Sequence, residues 1–203
     1  MKSMKKTIAL VVAIALLVGG AVGGTLAWLV ANSGPVTNTF TTSNIEITLD
    51  ESDNLDLKMI PGHTITKDPW VKVESGSEYC WLFVEVKESA NFDSYMTWAP
   101  DTNIWSVFAE ETTNADGTKS TILSCEIDTA DEINTALNIL ENSKVTVLGS
   151  VTKADMETAA TNQPTLTFTA YASQLYATND TTAENGGKFT AAQAWTNAQP
   201  TNQ

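Results

Sequence analysis

Alternation of apolar and polar residues with a period of two is the feature that most constrains the fold of this 203-residue chain. The most apolar such run is EYCWLFVEVK, Glu78–Lys87. Cys80 and every second residue after it would share one face of a strand, and Tyr79, Trp81 and Phe83 would lie on the other. This run therefore predicts a strand with a buried face and a second face that is either exposed or packed in a second layer.

Shorter segments of the same kind predict further strands on both sides of this run. They are Asn44–Asp50, the stretch from Ile65 to Val73, Asn103–Ala109, Thr121–Ile127, Lys144–Leu148 and Thr165–Tyr176. Pro61-Gly62 marks a turn, and Asp116-Gly117 favours a hairpin because this pair tolerates positive φ angles. The pattern predicts a mainly β fold, an antiparallel β-sandwich.

Three helix starts interrupt the strand pattern. Capping-box pairs are Thr129 with Glu132, Thr152 with Asp155, and Thr190 with Gln193. The first pair precedes apolar residues at helical spacing from Ile133 to Leu140, which predicts an amphipathic helix. We therefore expect two or three short helices in the connections between strands.

The N-terminus has the features of a secretory signal peptide. Lysines precede an apolar core, Ile8–Val18, and glycines follow at positions 19, 20, 23 and 24. Thr25 and Ala27 place small side chains before a cleavable bond, which predicts Trp28 as the first mature residue. The uncharged stretch continues past Val36, so an uncleaved membrane anchor is the alternative. Either interpretation places residues 28–203 across the membrane.

Three segments in one order resemble the exported TasA and camelysin family, whose leaders are processed by the SipW type of signal peptidase. The segments are GGTLAW, NTFTTSNIEITLD and LKMIPGHTITKDPWVKVESGS. The matching residues are Gly23, Gly24, Thr25, Ala27, Asn38, Phe40, Ile45, Ile47, Leu49, Pro61, Gly62 and Lys67. The resemblance implies jelly-roll topology and a secreted cell-surface or biofilm-matrix protein of a Gram-positive type of bacterium. It also implies filaments whose subunits exchange an N-terminal strand.

These patterns divide the chain into a signal peptide (1–27), an N-terminal segment (28–40), one domain (41–198) and a disordered tail (199–203). The N-terminal segment contains no charged residue. Its larger apolar residues are Trp28, Leu29, Val30, Val36 and Phe40. The segment is either a donor strand for a neighbouring subunit or a disordered linker.

Charge restricts the partners of the chain. The formal net charge is −13, and it becomes −16 without the leader, because 24 acidic residues then face eight lysines. Nucleic-acid binding depends on basic side chains, so we expect no such partner. The expected partners are the protein itself or related matrix subunits, and the signal peptidase, with membrane contact only through the leader.

The sequence offers little support for an enzyme or a metal site. His63 is the only histidine and no H-E-x-x-H motif is present, so camelysin-like metallopeptidase activity is not supported. Asp50, Ser52, Asn54 and Asp56 alternate as in a calcium loop, but the glycine and the final glutamate of that motif are absent. We therefore expect no catalytic residue, cofactor or metal, and a solvated acidic turn at residues 50–56.

Cysteines and aromatic residues leave alternatives open. Cys80 and Cys125 are either a disulfide or two buried thiols, since both interpretations suit an exported strand protein. The aromatic residues Trp70, Trp81, Trp98, Trp105, Tyr79 and Tyr95 are either core residues or a sugar-binding platform. The platform would make the protein an extracellular carbohydrate- or host-surface-binding module, which is the alternative function.

Overall fold

The computed structural model describes residues 44–52, 57–177 and 184–199. The strands in these ranges are β1 (Ile47–Asp50), β2 (Thr64–Thr66), β3 (Trp70–Val73), β4 (Cys80–Glu88), β5 (Met96–Thr97), β6 (Ser106–Thr113), β7 (Lys119–Ile127), β8 (Leu137–Asn138), β9 (Lys144–Val147) and β10 (Leu166–Gln174). The helices are α1 (Lys153–Ala159) and α2 (Ala191–Ala198), with 3-10 turns at Phe92–Ser94, Glu141–Ser143 and Glu184–Gly187. The predicted mainly β fold with short helices is confirmed.

The described strands form three antiparallel sheets. Their orders are β10-β4-β7-β6, β1-β3-β8 and β2-β9-β5. All three contribute to a single apolar core, in which Val71 of β3, Val84 of β4 and Val147 of β9 are fully buried. Burial of these side chains from separate sheets holds the short outer strands in place.

Strand β4 lies in the middle of the largest sheet and pairs along all its nine residues with both β10 and β7. Leu82 and Val84 are fully buried on the face that the alternation predicts, and Phe83 is fully buried on the opposite face. Both faces are therefore covered, which explains why this strand has the most apolar sequence in the chain.

Helix α2 covers the second face of the β4 sheet with an aromatic layer. The Trp195 ring centroid lies 5.1 Å from that of Phe83, 5.3 Å from that of Tyr171 and 5.9 Å from that of Phe108. Trp81 stacks on Phe83 at 6.2 Å. Trp81 thus belongs to a second packed layer, one of the two alternatives that the sequence left open.

The predicted hairpin between β6 and β7 is confirmed. Asn114 donates its N–H to the Thr118 carbonyl at 2.7 Å, and Gly117 has the positive φ of 83° that this turn requires. Strand β6 begins at Ser106, later than the sequence predicts, because the residues before it turn around the carbonyl oxygen of Asp101.

The predicted helix after Thr129 is wrong. The Glu132 carboxylate accepts hydrogen bonds from the Thr129 N–H and hydroxyl at 3.0 and 2.9 Å, so part of the cap forms. The chain then departs from the helical path at Asn134, where φ is 64°, and Leu137 pairs with Val71 of β3. Pairing with a neighbouring strand therefore outweighs a local helical pattern.

The other two predicted helices are confirmed with their caps. The Thr152 hydroxyl accepts from the Asp155 N–H, and the Thr190 hydroxyl accepts from the Gln193 N–H, each as part of a complete capping box. Neither helix, nor any other helix within the described ranges, has the length and hydropathy needed to cross a membrane.

Candidate functional site

The residues that carry the predicted processing and assembly lie outside the described ranges. They are the cleavage residues Thr25, Ala27 and Trp28 and the donor-strand residues Leu29, Val30, Val36 and Phe40. Signal cleavage and strand exchange therefore stay predictions.

His63 is an exposed residue in the turn before β2. Its carbonyl accepts the Val147 N–H at 2.9 Å, and the preceding Gly62, with φ 77°, donates to the Val147 carbonyl at 3.1 Å. Among the described side chains, His63 belongs to no group of three potential metal ligands. The structure thus places this histidine in a surface turn that is held to β9 by backbone hydrogen bonds.

The acidic segment 50–56 is described only in part, because Asn54 and Asp56 lie outside the described ranges. The Ser52 hydroxyl and N–H donate to the Asp68 carboxylate at 2.6 and 3.2 Å. These bonds lower the pKa of Asp68. The described start of this segment is therefore tied to the residues that precede β3.

Cys80 and Cys125 are free thiols in the structure. They lie on the same face of neighbouring strands, but Cys80 is opposite Ile127 and Cys125 is opposite Leu82. Diagonal neighbours of this kind lie about 7 to 8 Å apart, longer than the usual Cα separation of a disulfide. Burial raises the pKa of Cys80 to about 12 and that of Cys125 to about 11. The geometry thus matches the thiol alternative.

The tryptophans contribute mainly to packing. All five in the described ranges are buried or half-buried. Three indole N–H groups donate to protein acceptors, Trp81 to the Phe189 carbonyl (2.8 Å), Trp98 to the Glu88 carboxylate (2.5 Å) and Trp105 to the Asn138 carbonyl (2.8 Å). Tyr95 is buried, whereas Tyr79 is 37% exposed. These side chains therefore do not combine into one exposed aromatic platform.

An apolar groove of about 660 Å³ opens beside β2, β9, helix α1 and the start of β10. Its apolar lining includes Met59, Ile65, Phe92, Met96, Met156 and Leu166. Three of these six are methionines, whose flexible side chains adapt to the shape of an apolar partner. Sequence reasoning missed the groove because its walls come from several separated segments of the chain.

Two lysines contribute to the groove lining. Lys67 forms an ion pair with Glu51 at 2.6 Å, and its ammonium lies 5.5 Å from the centroid of the Phe168 ring. Lys58 lines the same groove. Because Glu51 neutralises the Lys67 charge locally, the groove offers a mainly apolar surface.

Three carboxylates come together next to the Phe92–Ser94 turn. Glu88 ends β4, Asp93 lies in the turn and Glu111 lies in β6, and one carboxylate oxygen from each lies within 4.8 Å of the other two. Lys119, directly opposite Glu88 on β7, forms ion pairs with Asp93 and, at 2.9 Å, with Glu111. We call these three acids the carboxylate cluster.

Glu88 is the buried member of the carboxylate cluster, with 4% of its surface exposed. Its Oε1 accepts the Trp98 indole N–H, whereas no described residue donates a hydrogen bond to its buried Oε2 while Glu88 is ionised. Burial raises the pKa of Glu88 to about 7; the Trp98 bond opposes this shift, and a hydrogen bond from protonated Glu88 to Asp93 and the charge of Asp93 add to it. The Lys119 ion pair lowers the pKa of Asp93. The cluster can therefore hold either a proton or a cation near neutral pH.

Sequence reasoning missed the carboxylate cluster, although one signal was available. Glu88 is in phase with Cys80, Leu82 and Val86, so it continues the buried face of β4. An acid on a buried strand face requires a partner, which makes it a candidate for a functional group. Its neighbours at 93, 111 and 119 come from other elements and could not be paired with it from spacing alone.

The described strands define a mainly β protein with three antiparallel sheets. Comparison with protein-family models, with curated proteins and with solved structures found no match.

Proposed function

We propose that the protein is an exported structural protein of a bacterial cell surface or biofilm matrix, and that it self-associates. In this proposal residues 28–40 of one copy dock in the apolar groove of the next copy. The observation that carries the proposal is the groove itself, an apolar surface on an otherwise acidic domain. The jelly-roll sandwich and secreted location implied by the family resemblance belong to the same proposal.

The N-terminal segment has the chemistry of an occupant for this groove. It is uncharged, and Val36 and Phe40 would face the same way in an extended strand. Thirteen residues can extend over about 43 to 47 Å, enough to reach a neighbouring subunit. The methionine-lined walls can adjust to either its aromatic or its branched side chains.

Strand β2 supplies an edge next to the groove. It is an outer strand of the β2-β9-β5 sheet, and Ile65 in its centre lines the groove. A strand added at such an edge gains main-chain hydrogen bonds, and alternate side chains take the same direction as Ile65. One added strand would therefore form hydrogen bonds with the edge of β2 and place its side chains in the groove.

The test is assembly of the exported full-length protein, followed by sedimentation and electron microscopy after mass spectrometry identifies its first residue. Phe40→Asp in the segment and Met156→Glu in the groove should each reduce the assembled fraction at least about tenfold, since each places a charge in an apolar contact. Thr39→Asp and Ala154→Glu add the same charge at neighbouring positions and are the matched controls.

Two outcomes contradict the proposal. One is a wild-type protein that begins at Trp28 and stays monomeric at every concentration tested. The other is assembly that the groove and segment variants leave unchanged. Specific glycan binding by such a monomer would favour the carbohydrate-binding alternative, which has less support because the described tryptophans are buried or half-buried.

A further inference from the structure

We propose that Glu88, Asp93 and Glu111 form a binding site for a hard divalent cation, with Ca²⁺ as the best fit. The three acids come from β4, the Phe92–Ser94 turn and β6, so the fold rather than a local loop brings them together. None of these three acids lines the apolar groove, and the test below measures ion binding rather than assembly.

The buried oxygen of Glu88 is the strongest reason to assign a ligand. Glu88 is more than nine-tenths buried, and when it is ionised no described residue donates a hydrogen bond to its Oε2, whereas the protonated group shares a hydrogen bond with Asp93. A buried polar atom without a partner is costly, and such atoms are rare in folded proteins. A cation held between Glu88 and its two acidic neighbours would satisfy this oxygen.

The charge of the site matches a divalent ion. Three ionised carboxylates with Lys119 carry a net charge of −2, and Lys119 already pairs with Asp93 and Glu111. A bound divalent cation would neutralise that charge, while Lys119 competes with it for the same two acids.

The donor atoms and their spacing favour calcium. All three ligands are carboxylates, which hard cations prefer, and calcium binds oxygen at about 2.3 to 2.6 Å. Two oxygens on one calcium ion are thus at most about 5 Å apart. One oxygen from each of the three acids already lies within 4.8 Å of the other two, so little movement is needed. Water would complete the coordination, because Asp93 and Glu111 are exposed.

Trp98 is the outer support of this site. Its indole N–H donates to Glu88 Oε1 at 2.5 Å, which fixes the orientation of the buried carboxylate and directs Oε2 away from that bond. Groups that orient a metal ligand in this way increase its affinity for the ion. Trp98 also places a fluorophore in contact with a proposed ligand.

Calorimetric titration of the chelator-treated full-length protein with CaCl₂ tests the proposal. We expect one saturable site with a dissociation constant of about 0.1 to 1 mM, the range of extracellular calcium modules. Glu88→Gln, Asp93→Asn and Glu111→Gln should each weaken binding at least about tenfold. Lys119→Met should tighten it several-fold, because the competing positive charge is removed.

The chain offers a matched control for these variants. Lys188 pairs with Glu126 and, at 3.0 Å, with Asp128. This group also has one lysine and two acids, but the described residues supply no buried third carboxylate there. Glu126→Gln should leave calcium affinity unchanged. Terbium, which replaces calcium, should show luminescence sensitised by tryptophan that Trp98→Phe reduces.

Three results would overturn the assignment. They are no saturable calcium binding by the wild type up to about 5 mM, wild-type affinity in all three ligand variants, and tighter binding of Mg²⁺ than of Ca²⁺. If Glu88→Gln does not fold, the exposed positions Asp93 and Glu111 carry the same test.

Discussion

Glu88 keeps a carboxyl group inside the protein, with one oxygen bound to the Trp98 indole and the other without a donor among the described residues when the group is ionised. A charge in such a place is disfavoured, so the group takes up a proton at a higher pH than an exposed glutamate does. The same burial acts on Cys80 and Cys125, whose thiols resist ionisation. At the residue scale, burial determines the chemistry of these side chains.

Glu88→Gln should stabilise the chelator-treated protein at pH 8. Burial raises the pKa of Glu88 from 4.5 to about 7. Between about pH 4.5 and pH 7 the folded state therefore binds more protons than the unfolded state. Wild-type stability therefore falls as pH rises from about 4.5 to about 7, by up to about 3 kcal/mol. Thermal unfolding should show the variant more stable at pH 8 and equal to wild type below about pH 4.5.

Lys119, Asp93 and Glu111 also face Glu88, so their ionisation should be monitored in the same pH series. Glu126→Gln removes a half-exposed acid and is the control for the loss of one negative charge. An equal gain in that variant, or no gain in Glu88→Gln at pH 8, would contradict the prediction.

Cys80 and Cys125 should react slowly with an alkylating reagent in the native protein near pH 8. Burial raises their pKa to about 12 and about 11, which leaves at most about 0.1% of either thiol ionised. Alkylation followed by mass spectrometry should therefore be at least about 100-fold slower than in denaturant. If neither cysteine reacts in denaturant until a reductant is added, the exported protein contains the disulfide instead.

Helix α2 shows how one short element completes a sheet. Its capping box starts it at Thr190, and Trp195 then packs on aromatic side chains from β4, β6 and β10. An isolated helix of eight residues is unstable in water, so most of its stability comes from this contact. Without it, the fully buried Phe83 would lie at the surface of the largest sheet.

Trp195→Ala should lower the free energy of unfolding by about 2 to 3 kcal/mol, because it removes the centre of the aromatic layer. Thr196→Ala changes the next residue, whose exposed hydroxyl bonds only within the helix, and should cost at most about 0.5 kcal/mol. Denaturant unfolding followed by fluorescence and circular dichroism would measure both. Equal effects of the two substitutions would show that α2 does not stabilise the sheet.

The whole molecule is strongly acidic, with a formal net charge of −13 that would become −16 if the predicted leader is removed. Copies of such a protein repel one another over a distance set by the salt concentration. An association through apolar contacts must overcome this repulsion, so added salt should favour it. An association through ion pairs between copies would be strongest at low salt, because salt screens the attraction.

Assembly of the exported protein should therefore accelerate as salt rises. An increase from about 10 to about 150 mM shortens the screening length from about 30 to about 8 Å. Light scattering should show a rate increase of at least several-fold, with the unassembled Phe40→Asp variant as the baseline. A rate that falls with salt would indicate association through opposite charges and would contradict apolar docking.

Local patterns in the sequence determined many of the elements. The period of two specified β4, Asp116-Gly117 specified the hairpin, and the Thr152 and Thr190 capping boxes specified both helices. Each of these depends on neighbouring residues alone, so a sequence pattern can predict it. The same method failed after Thr129, where pairing with a distant strand decided the structure.

Only the tertiary structure decided which side chains meet. The groove and the carboxylate cluster combine residues from several elements, and no spacing along the chain brings Glu88 next to Asp93 and Glu111. The sequence likewise did not decide whether the second face of β4 is exposed or packed, and the structure shows that α2 covers it. Sequence thus determined the strands, turns and caps, because their energies are local. Tertiary packing determined the candidate sites, because contacts between distant residues depend on strand register and sheet order.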